Sequence, residues 1–497
     1  MTRRLDTPPL DARLERSVDR PQAAPHGGSI RTIYLSLMVV IALGTLDQSI
    51  VATALPRIMA ELGGIATSAW IVTAYVLAST ATMPLYGKLS DQYGRRPMIC
   101  LAIMTFLVGS LLCGMSTSLG GLVFSRVVQG LGAGGFVPLS QSVIADLIPP
   151  KQRGRRQGGI AAVFAATSVA GPILGGLITE ALSWHWIFYV NLPLGSVALY
   201  VLTTRLESGP PAGAQKIDYT GALLMTSAVT AFLLALSMGG STWPWRSAQV
   251  VGLLAAGAAL LAVLAIQSRR VPAPILPPSL FRNTVFNIAS AVMALTFMGL
   301  FGATIFLPMF SQMVSGDGTM RSGLLMVPLM LGAVIAAVLS GRILTRTGRY
   351  KPAQMTGLAM AVLAFALLAW AVATARSDWL IEPVVFMLGI GLGLVMPNMT
   401  VAVQNALPVP LRGVGTAMLT FFRSLGGLAG VAASSAIVAG RVQAAASAGM
   451  DTAGAYRGAI AQTFAIGSVI VALAFLGLLF LPELPLQEPG TARQDRP

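Results

Sequence analysis

Three ionisable residues stand where hydrocarbon is expected. Asp47, Arg126 and Arg423 each fall inside an apolar stretch, and about 20 such residues form a helix that crosses a bilayer core about 30 Å thick. A charge at that depth costs about 3 kcal/mol or more, so it faces a polar cavity or finds a partner. Asp47 lies about 20 Å into a first helix, and Arg126 about 9 Å into a fourth helix that starts from the opposite face. In a core about 30 Å thick these depths nearly coincide, so an ion pair is sterically open to them. Such a pair has two readings. It is a proton switch, in which Arg126 holds Asp47 ionised and displacement of Arg126 loads a proton, or it is a permanent structural bridge. Asp47 is the sole carboxylate deep in any apolar stretch, which favours the switch. Gln48 and Gln129 either extend a polar network around the pair or act as hydrogen-bonding glue between helices. Arg423, about 12 Å into a thirteenth stretch, either attracts an anionic group or extends its head toward the interface. With Asn398, these residues (Gln48, Gln129 and Arg423) are the candidate lining of a substrate cavity.

The elements that position these residues are membrane spans. Mean hydropathy is +0.74, 55% of residues are hydrophobic and only 10% are charged, against roughly 25% in a soluble domain. Fourteen stretches are long enough: 34–55, 69–88, 98–116, 120–144, 158–180, 186–202, 218–238, 248–267, 284–307, 322–344, 353–374, 380–403, 415–438 and 461–482. The net charge of +15 does not indicate nucleic acid, because it is sorted by side. With the amino terminus inside, 25 of the 33 Lys and Arg fall in inner loops and tails and six in outer loops. That bias is the positive-inside rule, and it places both termini in the cytoplasm. Trp70, Trp184, Trp186, Trp243, Trp245, Trp370 and Trp379 lie at the outer ends of the same spans, where indole prefers the interface.

The chain also repeats itself. Gly130-Leu-Gly132-Ala-Gly134, Pro138, Asp146, Pro149 and Arg153-Gly154 recur 259 residues later as Gly389-Ile-Gly391-Leu-Gly393, Pro397, Asn405, Pro408 and Arg412-Gly413. The loop Gly87-Lys-Leu-Ser-Asp91-Gln-Tyr-Gly94-Arg95-Arg96 recurs 254 residues on, from Gly341 to Tyr350, with Thr345 in place of Asp91. Spans one to six therefore match nine to fourteen, and spans seven and eight form an inserted hairpin. The expected fold is all-α: a cytoplasmic tail at 1–31, read as disordered, a six-helix bundle at 32–205, a linker with the inserted helices at 206–270, a second bundle at 271–483 and a tail at 484–497. Two similar halves facing each other across the midplane are a common transporter architecture. Cys100 and Cys113 share one span about 20 Å apart, too far for a disulfide. With His26 and His185 the only histidines, no metal site is expected.

Two further motifs bear on movement. Gly171-Pro172-Ile-Leu-Gly175-Gly176 bends the fifth span and permits close packing there. In the loop from Gly87 to Arg96, Asp91 can cap a helix start or pair with an arginine, while Arg95 and Arg96 can reach a lipid phosphate or a neighbouring helix.

Together these segments resemble the fourteen-span drug:proton antiporters of the major facilitator superfamily. Leu46 to Pro56 is similar to that family's first-helix motif, Gly87 to Arg96 to the loop motif, Arg126-Val-Val-Gln129-Gly130 to the motif associated with proton coupling, and Gly171 to Gly176 to the antiporter motif. The resemblance implies the major facilitator fold and export of a lipophilic small molecule in exchange for protons, across the plasma membrane, with no cofactor and no enzymatic step. It implies that Asp47 and Arg126 couple protons, and that Gly87, Asp91, Gly94, Arg95 and Arg96 latch the outward-open state. The second loop copy, with Thr345, is expected to lack an acidic latch. The same fold would serve an exporter of one metabolite or a lipid. A membrane-embedded transferase would need clustered acids or histidines at the membrane face, and a receptor would need a soluble output domain.

Overall fold

A computed structural model describes residues 27–63, 69–207, 218–240, 242–272, 274–316, 319–374, 378–447 and 452–486. The expected tail at 1–26, most of the linker at 208–217 and the end of the chain from 487 lie outside the described residues. The helices are α1 (Gly27–Leu62), α2 (Ala69–Tyr93), α3 (Arg95–Gly114), α4 (Leu119–Ala133), α5 (Phe136–Leu147), α6 (Pro150–Ala181), α7 (Trp186–Tyr189), α8 (Asn191–Arg205) and α9 (Tyr219–Met238). They continue as α10 (Ala248–Ser268), α11 (Pro278–Phe281), α12 (Thr284–Met313), α13 (Thr319–Leu324), α14 (Met326–Thr347), α15 (Lys351–Ala373), α16 (Asp378–Ala406), α17 (Arg412–Ser447) and α18 (Thr452–Leu479). Among the described residues the only β pairing is one isolated bridge, Gly239 to Trp243, in the turn of the inserted hairpin. Among the described residues thirteen candidate spans are long and apolar enough to cross a membrane. The fourteenth expected span is α2, a helix of 25 residues that is not among the thirteen.

Several boundaries differ from the sequence reading. Residues 27–31, assigned to the tail, begin α1. The fourth span breaks into α4 and α5 at Gly134 and Gly135. Gly134 abuts the Ser79 carbonyl and the Thr82 hydroxyl so closely that a Cβ could not fit. The sixth span is a short α7 followed by α8.

We refer to the arginine-rich side as the basic face. Within the first half, α1 packs on α6 and α8, and α4 packs between α2 and α3. Within the second half, α12 packs on α17 and α18, and α15 on α16 and α18. The two largest interfaces between the halves are α6 with α14 and α2 with α17. Under the repeat these are images of one another, because the fifth span corresponds to the thirteenth and the second to the tenth. Lipid offers helices little hydrophobic reason to associate, so such contacts depend on small residues and polar caps. Gly87 of α2 accordingly lies against Gly413, Val414 and Ala417 of α17, and Gly158 of α6 lies against Val338 of α14. The inserted hairpin, α9 and α10, leans on α2 and α17. Buried Asp218 anchors its base, accepting from Gly221 N at 2.8 Å, Gln267 Nε2 at 2.5 Å and Ile275 N at 3.3 Å.

The two halves are cored differently. Buried apolar residues of the second half form one cluster, shared with the hairpin and part of α2. In the first half they form two, one reaching Leu43 of α1 from the basic face and one starting at Leu46 on the far side. A polar layer lies between them.

The bend of α6 presses it onto α1. Gly171 meets Ser49, and Gly175 meets Thr53 and the Ile50 carbonyl, whereas Gly176 has open space beside it. The Thr45 and Thr167 hydroxyls bond across the same interface at 2.8 Å. Gly175→Ala should therefore overpack the contact and lower stability by about 1–3 kcal/mol. Gly176→Ala should be neutral or slightly stabilising, since alanine favours helix by up to about 1 kcal/mol. Thermal unfolding of the two variants checks this, and equal midpoints would mean the close approach carries no energy.

Candidate functional site

The polar layer of the first half is a set of hydrogen bonds drawn from five helices. Asp47 of α1 and Arg126 of α4 form an ion pair at 2.5 Å, with side chains 1% and 0% exposed. Gln129, three residues along α4, donates from Nε2 to Asp47 Oδ1 at 2.8 Å and to Ser110 Oγ of α3 at 2.7 Å. Asn191, at the start of α8, donates to the same two acceptors at 3.1 and 3.0 Å. Gln129 Oε1 accepts from Arg126 Nη1 at 2.7 Å, and Arg126 Nε donates to the Ile71 carbonyl of α2 at 3.1 Å. The guanidinium lies 4.1 Å from the ring centroid of Tyr75, whose hydroxyl donates to the Gly44 carbonyl at 3.2 Å. The carboxylate thus receives three donors, each fixed by a second bond, which suits a buried anion whose remaining lone pairs must be satisfied.

Sequence reasoning brought Asp47, Arg126 and Gln129 together and missed Ser110, Asn191 and Tyr75. Asn191 carried a signal, an amide at the start of an apolar span just after an aromatic break. Ser110 and Tyr75 carried none, being ordinary residues for membrane helices. The four proposed cavity residues separate in the structure. Gln48 is exposed and outside the network, because neighbours on a helix point about 100° apart. Gln129 is fully buried in the network, and Asn398 is fully buried in the second half, donating to Ser340 Oγ at 2.8 Å and to the Leu394 carbonyl at 3.0 Å. Neither lines an open cavity in this conformation, because each is consumed by helix packing within its own half. Arg423 has its guanidinium 5.2 Å from the ring centroid of Phe297, a contact that shelters the cation without an acid.

The second assembly lies at the basic face. Asp91, at the end of α2, accepts from Gly413 N at 3.0 Å and Val414 N at 2.8 Å, in the first turn of α17. It caps a helix of the opposite half, where unsatisfied amides and the helix dipole favour a negative charge. The same carboxylate pairs with Arg95 at 2.6 Å, and Arg95 reaches Asp146 of α5 at 2.8 Å and Ser90 Oγ at 2.6 Å. Arg96 donates to the Thr203 carbonyl at the end of α8. Gly94 makes the turn with φ +92°, and its repeat Gly348 does so with φ +68°, backbone conformations that favour glycine. Arg153 and Arg412, which the repeat aligns, make the same bond, each Nε donating to the carbonyl five residues back, Ile148 and Leu407. Gln404 Nε2 reaches the Gln141 carbonyl across the halves at 3.4 Å.

The second loop copy is built another way. Thr345 donates to the Gly341 carbonyl of its own helix. Glu483, from beyond α18, accepts from the amides of Tyr350 and Lys351, while Lys351 Nζ holds the Leu479 and Leu481 carbonyls at the end of α18. Residues 484–486, the start of the expected tail, lie against this half: Leu484 N donates to Tyr350 Oη and Asn405 Nδ2 to the Pro485 carbonyl.

Two repeated helical halves in a membrane, one holding a buried charge network and both closed against each other at one face, define a membrane transporter. The chain belongs to the Major Facilitator Superfamily, whose family profile matches residues 37–431. It is similar to the multidrug transporter protein MdtP of Bacillus subtilis, 35% identical over 414 residues that cover 83% of this chain and 76% of the relative. Multidrug resistance protein 3 of the same organism is 34% identical, covering 81% and 78%. The efflux pump FUS6 of Gibberella fujikuroi is 34% identical, covering 87% and 79%. The fold is similar to that of the human organic anion transporter MFSD10, with TM-score 0.66 and 17% identity over 90% of this chain and 99% of that one. It is also similar to the proton:xylose symporter XylE, with TM-score 0.63 and 14% identity over 93% and 98%.

Asp91→Asn offers one acceptor oxygen where the carboxylate offers two, so one amide of α17 faces an NH2 group. The Arg95 pair is lost as well. Charge-assisted bonds contribute about 1.5–3 kcal/mol, so the balance should shift toward opening of the basic face by roughly tenfold or more. Maleimide labelling of a cysteine at Ser424, on the path between α2 and α17, should accelerate from the basic side while substrate affinity is kept. A severe loss of affinity with unchanged labelling would remove Asp91 from the closure.

Proposed function

We propose that this transporter is a proton-coupled antiporter of the plasma membrane that exports lipophilic small molecules from the cytoplasm. Its basic face is cytoplasmic, with both termini on that side. The observation that carries this reading is the buried Asp47–Arg126 pair, the one acid–base pair among the described residues at mid-membrane depth. The names of the relatives, multidrug transporter and efflux pump, support drug export, and the sorting of arginines supports the orientation. No cofactor is invoked, because the proton gradient supplies the energy.

The conformation described is closed at the basic face by Asp91, Gly87 and Gln141, and so corresponds to the outward-facing state of the cycle. Here Asp47 is paired with Arg126 and sealed from water by Arg126, Gln129 and Asn191. When a proton reaches Asp47, the bonds from Gln129 and Asn191 lose their charge assistance, which roughly halves their strength, and Arg126 loses its counter-charge. Helix α1 is then freer to shift relative to α4 and α8. Because Gly171, Gly175 and the Thr45–Thr167 bond tie α1 to α6, a shift of α1 carries α6, and α6 forms one of the two largest interfaces between the halves. Loading the acid therefore acts on the contact that must open for the cytoplasmic side to be exposed. Substrate binds between the halves, against the exposed Gln48 face of α1 and with Arg423 at the far wall.

Asp47→Asn should abolish transport driven by a pH gradient while leaving folded protein in the membrane. The measurement is efflux of a panel of dyes and antibiotics from vesicles with and without the gradient, and wild-type rates in the variant would end the coupling role. A stability cycle tests the pair itself. Arg126→Gln alone strands a buried carboxylate and should cost about 3–5 kcal/mol, whereas Asp47→Asn with Arg126→Gln should recover much of that loss. Additive losses would show that the two residues do not interact energetically.

A further inference from the structure

A crevice of about 930 Å³ opens between the inserted hairpin and the body of the transporter. Its walls are α9 and α10 on one side and Pro84 of α2 with Met418, Phe421 and Leu425 of α17 on the other. Leu276, Pro278 and Phe281, in the segment joining the hairpin to the second half, form its end at the basic face. Of its twenty lining residues only Ser268, Arg269 and Arg282 are polar, and all three stand at that end. Along α10 the lining runs from Arg269 to Leu254, about 22 Å at the helical rise. Half a hydrocarbon core is about 15 Å, so the crevice reaches from the headgroup level of one leaflet past the midplane.

We propose that this crevice is a binding site for one anionic phospholipid of the leaflet on the basic face. Its phosphate sits between Arg269 and Arg282, and an acyl chain lies along Leu261, Phe281 and Phe421. Three observations select this occupant. Both arginines are exposed, and among the described residues neither is in an ion pair. Asp218, the nearby acid at the base of the hairpin, is buried and already accepts three bonds. The charge is therefore available to a ligand at the depth where phosphates lie. Beyond this end the lining is entirely apolar, so nothing would orient a drug by polar contacts, as small-molecule sites do, whereas an acyl chain needs no such contact. Leu261 and Phe281 are each 40% exposed, which leaves the slot open to the bilayer from the side. The site is separate from the Asp47 network and stands whether or not that network couples protons.

The test uses the full-length purified protein in detergent, with phosphatidylglycerol and phosphatidylcholine of the same acyl chains as probes. Native mass spectrometry should show phosphatidylglycerol retained over phosphatidylcholine. Arg269→Gln with Arg282→Gln should lower that retention roughly tenfold, since each basic residue near the headgroup contributes measurably to anionic-lipid binding. Arg269→Lys with Arg282→Lys should keep it within about threefold, because the charge is preserved. Ala265→Trp, at an exposed position on the wall of the slot, should also lower retention with both arginines intact. A phosphatidylglycerol carrying a diazirine in its acyl chain should crosslink to peptides containing Leu261, Phe281 or Phe421. Equal retention of the two lipids, an unchanged double glutamine variant or crosslinks confined to other helices would each overturn the proposal.

Discussion

The structure depends on how a carboxylate survives at the centre of a membrane-embedded bundle. An isolated charge there is prohibitive, and even a paired one leaves lone pairs that hydrocarbon cannot satisfy. Asp47 meets that demand with a guanidinium and two amides, drawn from α4 and α8, while Ser110 of α3 fixes both amides from behind. This arrangement interrupts the apolar core of the first half, which splits into two clusters above and below it. The second half has one continuous core at the same depth. The asymmetry means that the halves, although repeats, are not built alike: one holds a buried ion pair and the other an unbroken apolar core.

Closure between the halves follows from the scarcity of hydrophobic driving force inside lipid. The interfaces use glycines where backbones approach, and they use a helix end where charge is needed. Asp91 does two jobs at once, satisfying amides that the first turn of α17 cannot satisfy internally and holding Arg95, which in turn reaches α5. The contact is strong because it is partly desolvated, yet it is local, so it can break without disturbing either bundle. The second copy of the loop caps its helix from within its own half, through Glu483. Among the described residues the acidic cap across the basic face is therefore made by one loop copy only, although its backbone framework, with a left-handed glycine in each copy, is duplicated.

The sequence by itself determined what depends on position along a helix. Apolar length set the spans, the sorting of arginines set one face apart as basic, and the constant offsets of 259 and 254 residues marked the repeat. The fixed rise per residue was enough to put Asp47 and Arg126 at one depth, and the chemistry of Asp91 announced both a helix cap and an arginine pair. Tertiary structure decided what depends on rotation about a helix and on which neighbour stands opposite. Asp47 and Gln48 are adjacent in sequence and equal in polarity for a spanning segment, yet one is sealed in the network and the other is exposed. Asn398 could have faced a cavity and instead bonds Ser340. The recruitment of Asn191 and Ser110, the break at Gly134 and the crevice beside the hairpin all arise where separate helices meet. A strongly apolar helix carries little amphipathic pattern to reveal its orientation, since both lipid and protein interior accept the same side chains; only the packed bundle specifies which face turns inward.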